Sequence, residues 1–252
     1  MKYLKTYKQL NEGLRDKMVA VSDEKIEKSL KGLSDIDVLI NIINYNLDHK
    51  YLPRDEDGYF RYQGDIEDIL FVDDDEIQDI KLPDNMIISG DLDCSYLNLN
   101  ELPKGLDVYG LTCSYNNLKE LPDDLITHEF LDCSFNKIKK IPDNFKVYGN
   151  LAAESNHIKE FPKKLEVMGD IDFTDNYIKE LPNNLTISNS LWLSNNYLKK
   201  LPFGLSVSKY LDISGNGITE LPDDLIVGEI LYVDKDYDFI PKGVSKIQKG
   251  GK

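Results

Sequence analysis

No stretch of this 252-residue chain runs to 18 consecutive apolar residues, so no segment is long enough to cross a bilayer as a helix. The first residues, MKYLKTYKQLNE, are interrupted by Lys2, Lys5 and Lys8 and lack the unbroken apolar core of a secretory signal. The expectation is therefore a cytoplasmic protein. Cysteine is scarce. Cys94, Cys113 and Cys133 are the whole complement, too few and too alike in setting for a disulfide framework or a zinc cluster. The histidines, His49, His128 and His157, share no spacing that suggests a base or a metal site, and they read as surface or turn residues. Positive charge is in deficit, with 30 Lys and Arg against 45 Asp and Glu and a formal charge of −15. DNA and RNA need clustered cations, as do anionic membranes, so neither is an expected partner. A basic or neutral protein surface is. No phosphate-cradling glycine loop and no Ser-His-Asp order can be assigned. The run from Asp73 to Glu76 lacks the spaced ligands and central glycine of a calcium loop, and reads as a solvated acidic surface. The expectation is a protein with no catalytic residues, no cofactor and no metal.

What the chain has instead is repetition. Nine of its 10 prolines stand in one register: Pro83, Pro103, Pro122, Pro142, Pro162, Pro182, Pro202, Pro222 and Pro241. One unit reads LPDDLITHEFLDCSFNKIKK, from Leu121 to Lys140, and another reads LPNNLTISNSLWLSNNYLKK. Each unit predicts one short strand: Leu92–Ser95, Leu111–Ser114, Leu131–Ser134, Leu151–Glu154, Ile171–Thr174, Leu191–Ser194, Leu211–Ser214 and Leu231–Asp234. Alternation along a strand puts Leu131 and Cys133 inward and Asp132 and Ser134 outward. The three cysteines share that inward place and read as small buried hydrophobes. A unit this small cannot bury its apolar side alone, but stacked units share a continuous core. Asn116, Asn136, Asn156, Asn176, Asn196 and Asn216 recur at the turn leaving the strand, where an amide can satisfy backbone groups of the interior. Leu97 and Asp236 take that place in the first and last units, as suits the ends of an array.

The half-unit L-x-x-S-x-N-x-I resembles the leucine-rich repeat in its short bacterial form. LPDNMIISGDL, from Leu82 to Leu92, is similar to the arrays of tailed-phage and bacterial proteins. The resemblance implies an α/β-type repeat solenoid, a horseshoe with short parallel strands on its concave face. The convex side would be extended and irregular, with the Leu-Pro step lying there, and a small helical cap would cover the N-terminus. Some bacterial effectors of this type carry a separate ubiquitin-ligase domain with a catalytic cysteine; here all three cysteines are repeat positions.

The expected organisation has four parts. Residues 1–12 form a targeting helix, and 13–81 a helical and acidic cap. Residues 82–241 form the array of about eight repeats, and 242–252 a flexible tail. Helices are predicted from Asp23 to Lys31, with Ser22 as N-cap, and from Asp35 to Leu47, with Ser34 as N-cap. Segment 51–81 reads as a degenerate first unit. MKYLKTYKQLNE is also similar to the capsid-targeting leaders of head proteins in myovirus-type phages. That likeness implies cleavage between Glu12 and Gly13 and packaging in a virion.

The outward strand positions carry the candidate contact surface. The first runs Asp93, Thr112, Asp132, Ala152, Asp172, Trp192, Asp212, Tyr232, and the second is mostly Ser or Thr. Trp192 is the single tryptophan and is expected beside Tyr210 and Tyr232. Asp93, Asp132, Asp172, Trp192, Tyr210, Asp212 and Tyr232 are the predicted protein-binding residues, because aromatic anchors among polar neighbours are characteristic of interfaces. Three roles are consistent with this: a monomeric binding scaffold, a head-associated phage protein, and a secreted bacterial effector.

Overall fold

The computed structural model describes the backbone of Phe60–Tyr62, then Leu82 and residues 84–249. The expected helices, the acidic run and the Glu12–Gly13 step lie outside the described residues. Within them there is no helix, hence none long and apolar enough to cross a membrane. The chain winds as a parallel-strand solenoid of about eight turns.

One sheet has nine strands in parallel register: Leu92–Asp93, Leu111–Thr112, Leu131–Asp132, Leu151–Ala152, Ile171–Asp172, Leu191–Trp192, Leu211–Asp212, Leu231–Val233 and Ile247–Lys249. At ~4.8 Å per strand it spans about 38 Å. The regular strands are shorter than the four residues expected, because a turn follows within three residues. Pairing nevertheless continues past them: the Cys133 N–H donates to the Ala152 carbonyl at 2.8 Å, and that of Phe135 to Glu154 at 2.8 Å.

The opposite side is not irregular, and here the expectation is corrected. The segment L-x-V before each main strand forms a second ladder. Six strands, from Phe60–Tyr62 through Met86–Ile88 to Glu166–Val167, make one part of it, and four, from Thr186–Ile187 to Gly243–Val244, make the other. The cause is legible. Ile88, Val108, Thr127, Val147, Ile187, Val207 and Val227 place a β-branched residue inward at the same step of successive turns, and such residues suit a pleated surface. The pairing adds two findings at the ends of the array. Gly243–Val244 and Ile247–Lys249, expected as a loose tail, are the last strands of the two ladders. Phe60–Tyr62 pairs in register with Met86–Ile88 and so extends the second ladder into the segment before the array.

Corners are made by residues in the left-handed region. Asn85, Asn144, Asn184 and Gly204 adopt it after the Leu-Pro or Ile-Pro step, with φ from 58° to 72°. These are residue types that occupy it at little cost. The core between the ladders holds Leu, Ile and Val from every turn, with Phe173 its largest fully buried side chain. Phe161 meets Phe173 edge-on at 5.5 Å, and the preceding inward position, Ala153, is small.

The Asn row stitches the turns together. Asn156 Oδ1 accepts from the Ile138 N–H at 3.0 Å. Its Nδ2 donates to the carbonyls of Cys133 (3.0 Å), Ala153 (3.2 Å) and Glu154 (3.1 Å). One side chain thus joins two consecutive turns, and Asn116, Asn136, Asn176, Asn196 and Asn216 repeat the pattern. At the ends, Leu97 is buried without an amide, and Asp236 instead meets Lys249 Nζ at 2.6 Å.

Candidate binding surface

The outward face of the nine-stranded sheet carries two kinds of side chain, and the structure separates them. The alternate aspartates serve the backbone. Oδ1 of Asp93, Asp132 and Asp172 accepts the N–H two residues on, from Ser95, Ser134 and Thr174, each at 2.9 Å. Asp212 does the same to Ser214 at 2.9 Å and also accepts its hydroxyl at 2.7 Å. Asp212 is only 1% exposed, so its place on the expected contact surface is corrected to a turn lock. Alternation itself has a reason. In-register parallel strands would set identical carboxylates ~4.8 Å apart; a neutral residue between them doubles that spacing to about a Debye length at physiological salt. The hydroxyl row beside them pairs internally, Ser95 with Ser114 at 3.1 Å and Ser194 with Thr174 at 3.2 Å.

The second kind is aromatic. Trp192 and Tyr232 stand outward on alternate strands, with Asp212 between them in the register. Tyr210 immediately precedes the strand that carries Asp212. The three rings cluster, with centroids 6.0 Å apart for Trp192–Tyr210, 5.8 Å for Trp192–Tyr232 and 6.4 Å for Tyr210–Tyr232. A hydrogen bond to Glu229, then that residue's charge, raises the Tyr210 phenol above its ordinary pKa, with Asp170 adding to the effect. The patch is therefore aromatic at its centre and anionic at its rim.

A second aromatic group was missed by sequence reasoning. The residue before each ladder position, Leu97 in the first unit and Asn in the next six, is left-handed in seven consecutive turns: Tyr96, Tyr115, Phe135, Ser155, Asp175, Asn195 and Gly215, with φ from 52° to 67°. In the first three turns that residue is aromatic, and the rings stack. Tyr96 and Tyr115 lie 4.4 Å apart and within 8° of parallel; Tyr115 and Phe135 lie 4.3 Å apart and within 6°. A left-handed conformation costs an ordinary side chain ~1–2 kcal/mol, and a stacked pair returns ~0.5–1.5 kcal/mol. Stacking offsets only part of the strain. The signal was present in the sequence as an aromatic at the repeat spacing, before Leu97, Asn116 and Asn136. A looser run of three, His157–Tyr177–Tyr197, follows the Asn row on its other side, with centroid distances of 5.7 Å at each step.

The other candidates have plain settings. Burial pushes the thiols of Cys94, Cys113 and Cys133 well above their usual range, which leaves them protonated and unreactive. His128 Nε2 lies 2.7 Å from Asp107 on the surface of the second ladder. Among the described residues no group of three or more His, Cys, Asp or Glu side chains is placed to hold a metal ion.

Fold and face together define a parallel-strand repeat solenoid of about eight turns. Two solved structures are similar to it. One is the leucine-rich-repeat domain of a Shigella effector, at 25% identity and a TM-score of 0.43, over 57% of this chain and 67% of that one. The other is YopM from Yersinia enterocolitica WA-314, at 19% identity and a TM-score of 0.24, over 66% of this chain and 62% of that one. No family model matches the sequence, and no curated relative is found.

Proposed function

We propose that this protein is a non-enzymatic scaffold, monomeric in itself, that holds a protein partner against its nine-stranded face. The observation that carries the reading is the Trp192–Tyr210–Tyr232 cluster, three large rings gathered beside Glu229 and Asp170. Large amphipathic rings with an acidic rim suit a basic protein surface, in keeping with the −15 charge of the chain. Asp93, Asp132 and Asp172 keep the same face in shape, and Asp172, one strand from Trp192, adds to the field of the contact. The test is affinity capture with the intact chain as bait. Trp192→Ala is expected to weaken capture about tenfold, as loss of a central aromatic does, while Asn183→Ala, at an exposed corner after a Leu-Pro step, leaves it unchanged. Equal capture by both variants would remove the site from this face.

A second reading concerns where the scaffold works. The likeness of MKYLKTYKQLNE to phage capsid-targeting leaders favours a head-associated protein, cut between Glu12 and Gly13. A cytoplasmic protein and an exported bacterial effector are the rivals. N-terminal sequencing of the protein recovered from mature virions separates them. A chain beginning at Gly13 supports packaging, and an intact Met1 or absence from the particle rejects it.

A further inference from the structure

The stack of Tyr96, Tyr115 and Phe135 ends abruptly. Phe135 is followed, one strand on, by Ser155, which keeps the same left-handed backbone but carries no ring. Among the described residues Phe135 is stacked on the Tyr115 side alone. The stack stands open to solvent, with Tyr115 43% and Phe135 37% exposed. Turns further along put Asp175, Asn195 and Gly215 at this backbone position, residues that accept it readily. Three neighbouring turns instead hold rings there against the backbone preference, and strain that local packing does not relieve points to a use for the groups so held.

The surroundings are anionic. Glu154 immediately precedes Ser155, Asp175 follows one turn later, and Asp132 stands on the Phe135 strand. Their field reaches the stack. After partial desolvation and the neighbouring Tyr96, the charges of Glu154 and Asp132 contribute to raising the Tyr115 phenol.

We propose that the place above Ser155, next in the stack after Phe135, receives the guanidinium of an arginine on a basic protein partner. A guanidinium is flat, so it continues a stack at ring spacing. It is also cationic, with donors around its edge that can reach carboxylates while its face rests on a ring. A lysine ammonium is compact and strongly hydrated, and cannot take the place of a ring. A nucleobase would stack but brings phosphates into a negative field. The site lies past the strand ends of the early turns, at the left-handed step, whereas Trp192 and Tyr232 stand within strands of the later turns and Tyr210 just before one. It is therefore a second contact, independent of the first.

The test is an NMR titration of the intact chain with a peptide of alternating glycine and arginine, and with its lysine and citrulline counterparts. The arginine peptide is expected to bind about tenfold more tightly than either, since only it combines plane and charge. Phe135→Asn removes the platform but suits the left-handed backbone, so it should lose that preference while its Tm stays level or rises. Ser155→Phe should fill the place with a ring and abolish the preference. Trp192→Ala should leave it intact, which separates failure here from failure of the proposed face. Equal binding of the arginine and lysine peptides, or no binding of either, overturns the proposal. So does a Phe135→Asn variant that melts lower yet keeps its preference for arginine, for the stack would then be structural only.

Discussion

The two ladders of the solenoid are built by the same turns at the same pitch, yet one is continuous and the other is cut. The main sheet runs without interruption from Leu92 to Lys249. The second ladder breaks between Val167 and Ile187. At the break side chains take over from the main chain: Asn189 Nδ2 donates to the Met168 carbonyl at 2.9 Å, and the Ser190 N–H donates to Asp170 Oδ1 at 2.9 Å. The core is also thinner there. Leu165, Val167 and Leu185 are only partly buried, whereas Phe145, Val147, Leu205 and Val207, on either side, are buried. Two-residue strands supply little pairing of their own. The main sheet persists because a buried amide is added at nearly every turn, whereas among the described residues the second ladder has no buried row of amides and only separate links such as that of Asn189.

The largest test of that comparison removes one stitch. Asn156→Ala deletes an acceptor for the Ile138 N–H and a donor to three carbonyls, across two turns. Orphaned buried backbone groups cost ~1–3 kcal/mol each, so a loss of about 3 kcal/mol is expected once a few relax toward water. Asp172→Ala, which removes a single bond to the Thr174 N–H on a part-exposed strand, should cost about 1 kcal/mol. Urea denaturation measures both. Equal midpoints would mean that the amide row is incidental to the main sheet.

How much of this could be read in advance follows from the same contrast. The main sheet, the inward cysteines and the Asn row were legible because each rests on a residue type that recurs at the repeat spacing and can do one thing there. The second ladder rests on Val, Ile or Thr in L-x-V, which a Leu-Pro-rich return segment does not single out. The final strands were hidden for a related reason. Gly243–Val244 and Ile247–Lys249 carry none of the repeat's Leu and Asn marks, and the inward Val244 and Ile247 suffice to seat them. The aspartates were legible as outward residues but not as turn locks, since alternation gives direction and not hydrogen-bond partner. The stack at Tyr96, Tyr115 and Phe135 was hidden because aromatic residues are poor candidates for a left-handed backbone.

A smaller effect is expected where the second ladder is cut. Val147 and Val167 occupy equivalent places and pair in register. Val147 is fully buried and Val167 is only partly so. Truncating a buried valine loses two methyl groups at ~0.8 kcal/mol each plus a cavity term. Val147→Ala should therefore cost about 2 kcal/mol, and Val167→Ala less than half of that. Equal losses would show that the core closes over Val167 in solution, and the break would then not thin it.

The smallest expected effect is a gain. Thr127 stands in the β-branched row between Val108 and Val147, both fully buried. It is 1% exposed, and among the described residues its hydroxyl has no hydrogen-bond partner. A buried hydroxyl without a partner forfeits its hydration and gains nothing in exchange. Valine has nearly the same shape, so Thr127→Val changes polarity with almost no change in packing. The methyl that replaces the hydroxyl meets the same apolar neighbours that Val108 and Val147 already face. Restoring the hydrocarbon row should raise stability by about 1 kcal/mol, seen as a higher urea midpoint at unchanged slope. The gain belongs to the second ladder alone: Ser95→Val in the main sheet would instead break the 3.1 Å pair with Ser114 and should lower the midpoint. A neutral or destabilising Thr127→Val would mean that the hydroxyl is satisfied in solution, and that this ladder, like its neighbour, carries a polar stitch inside its core.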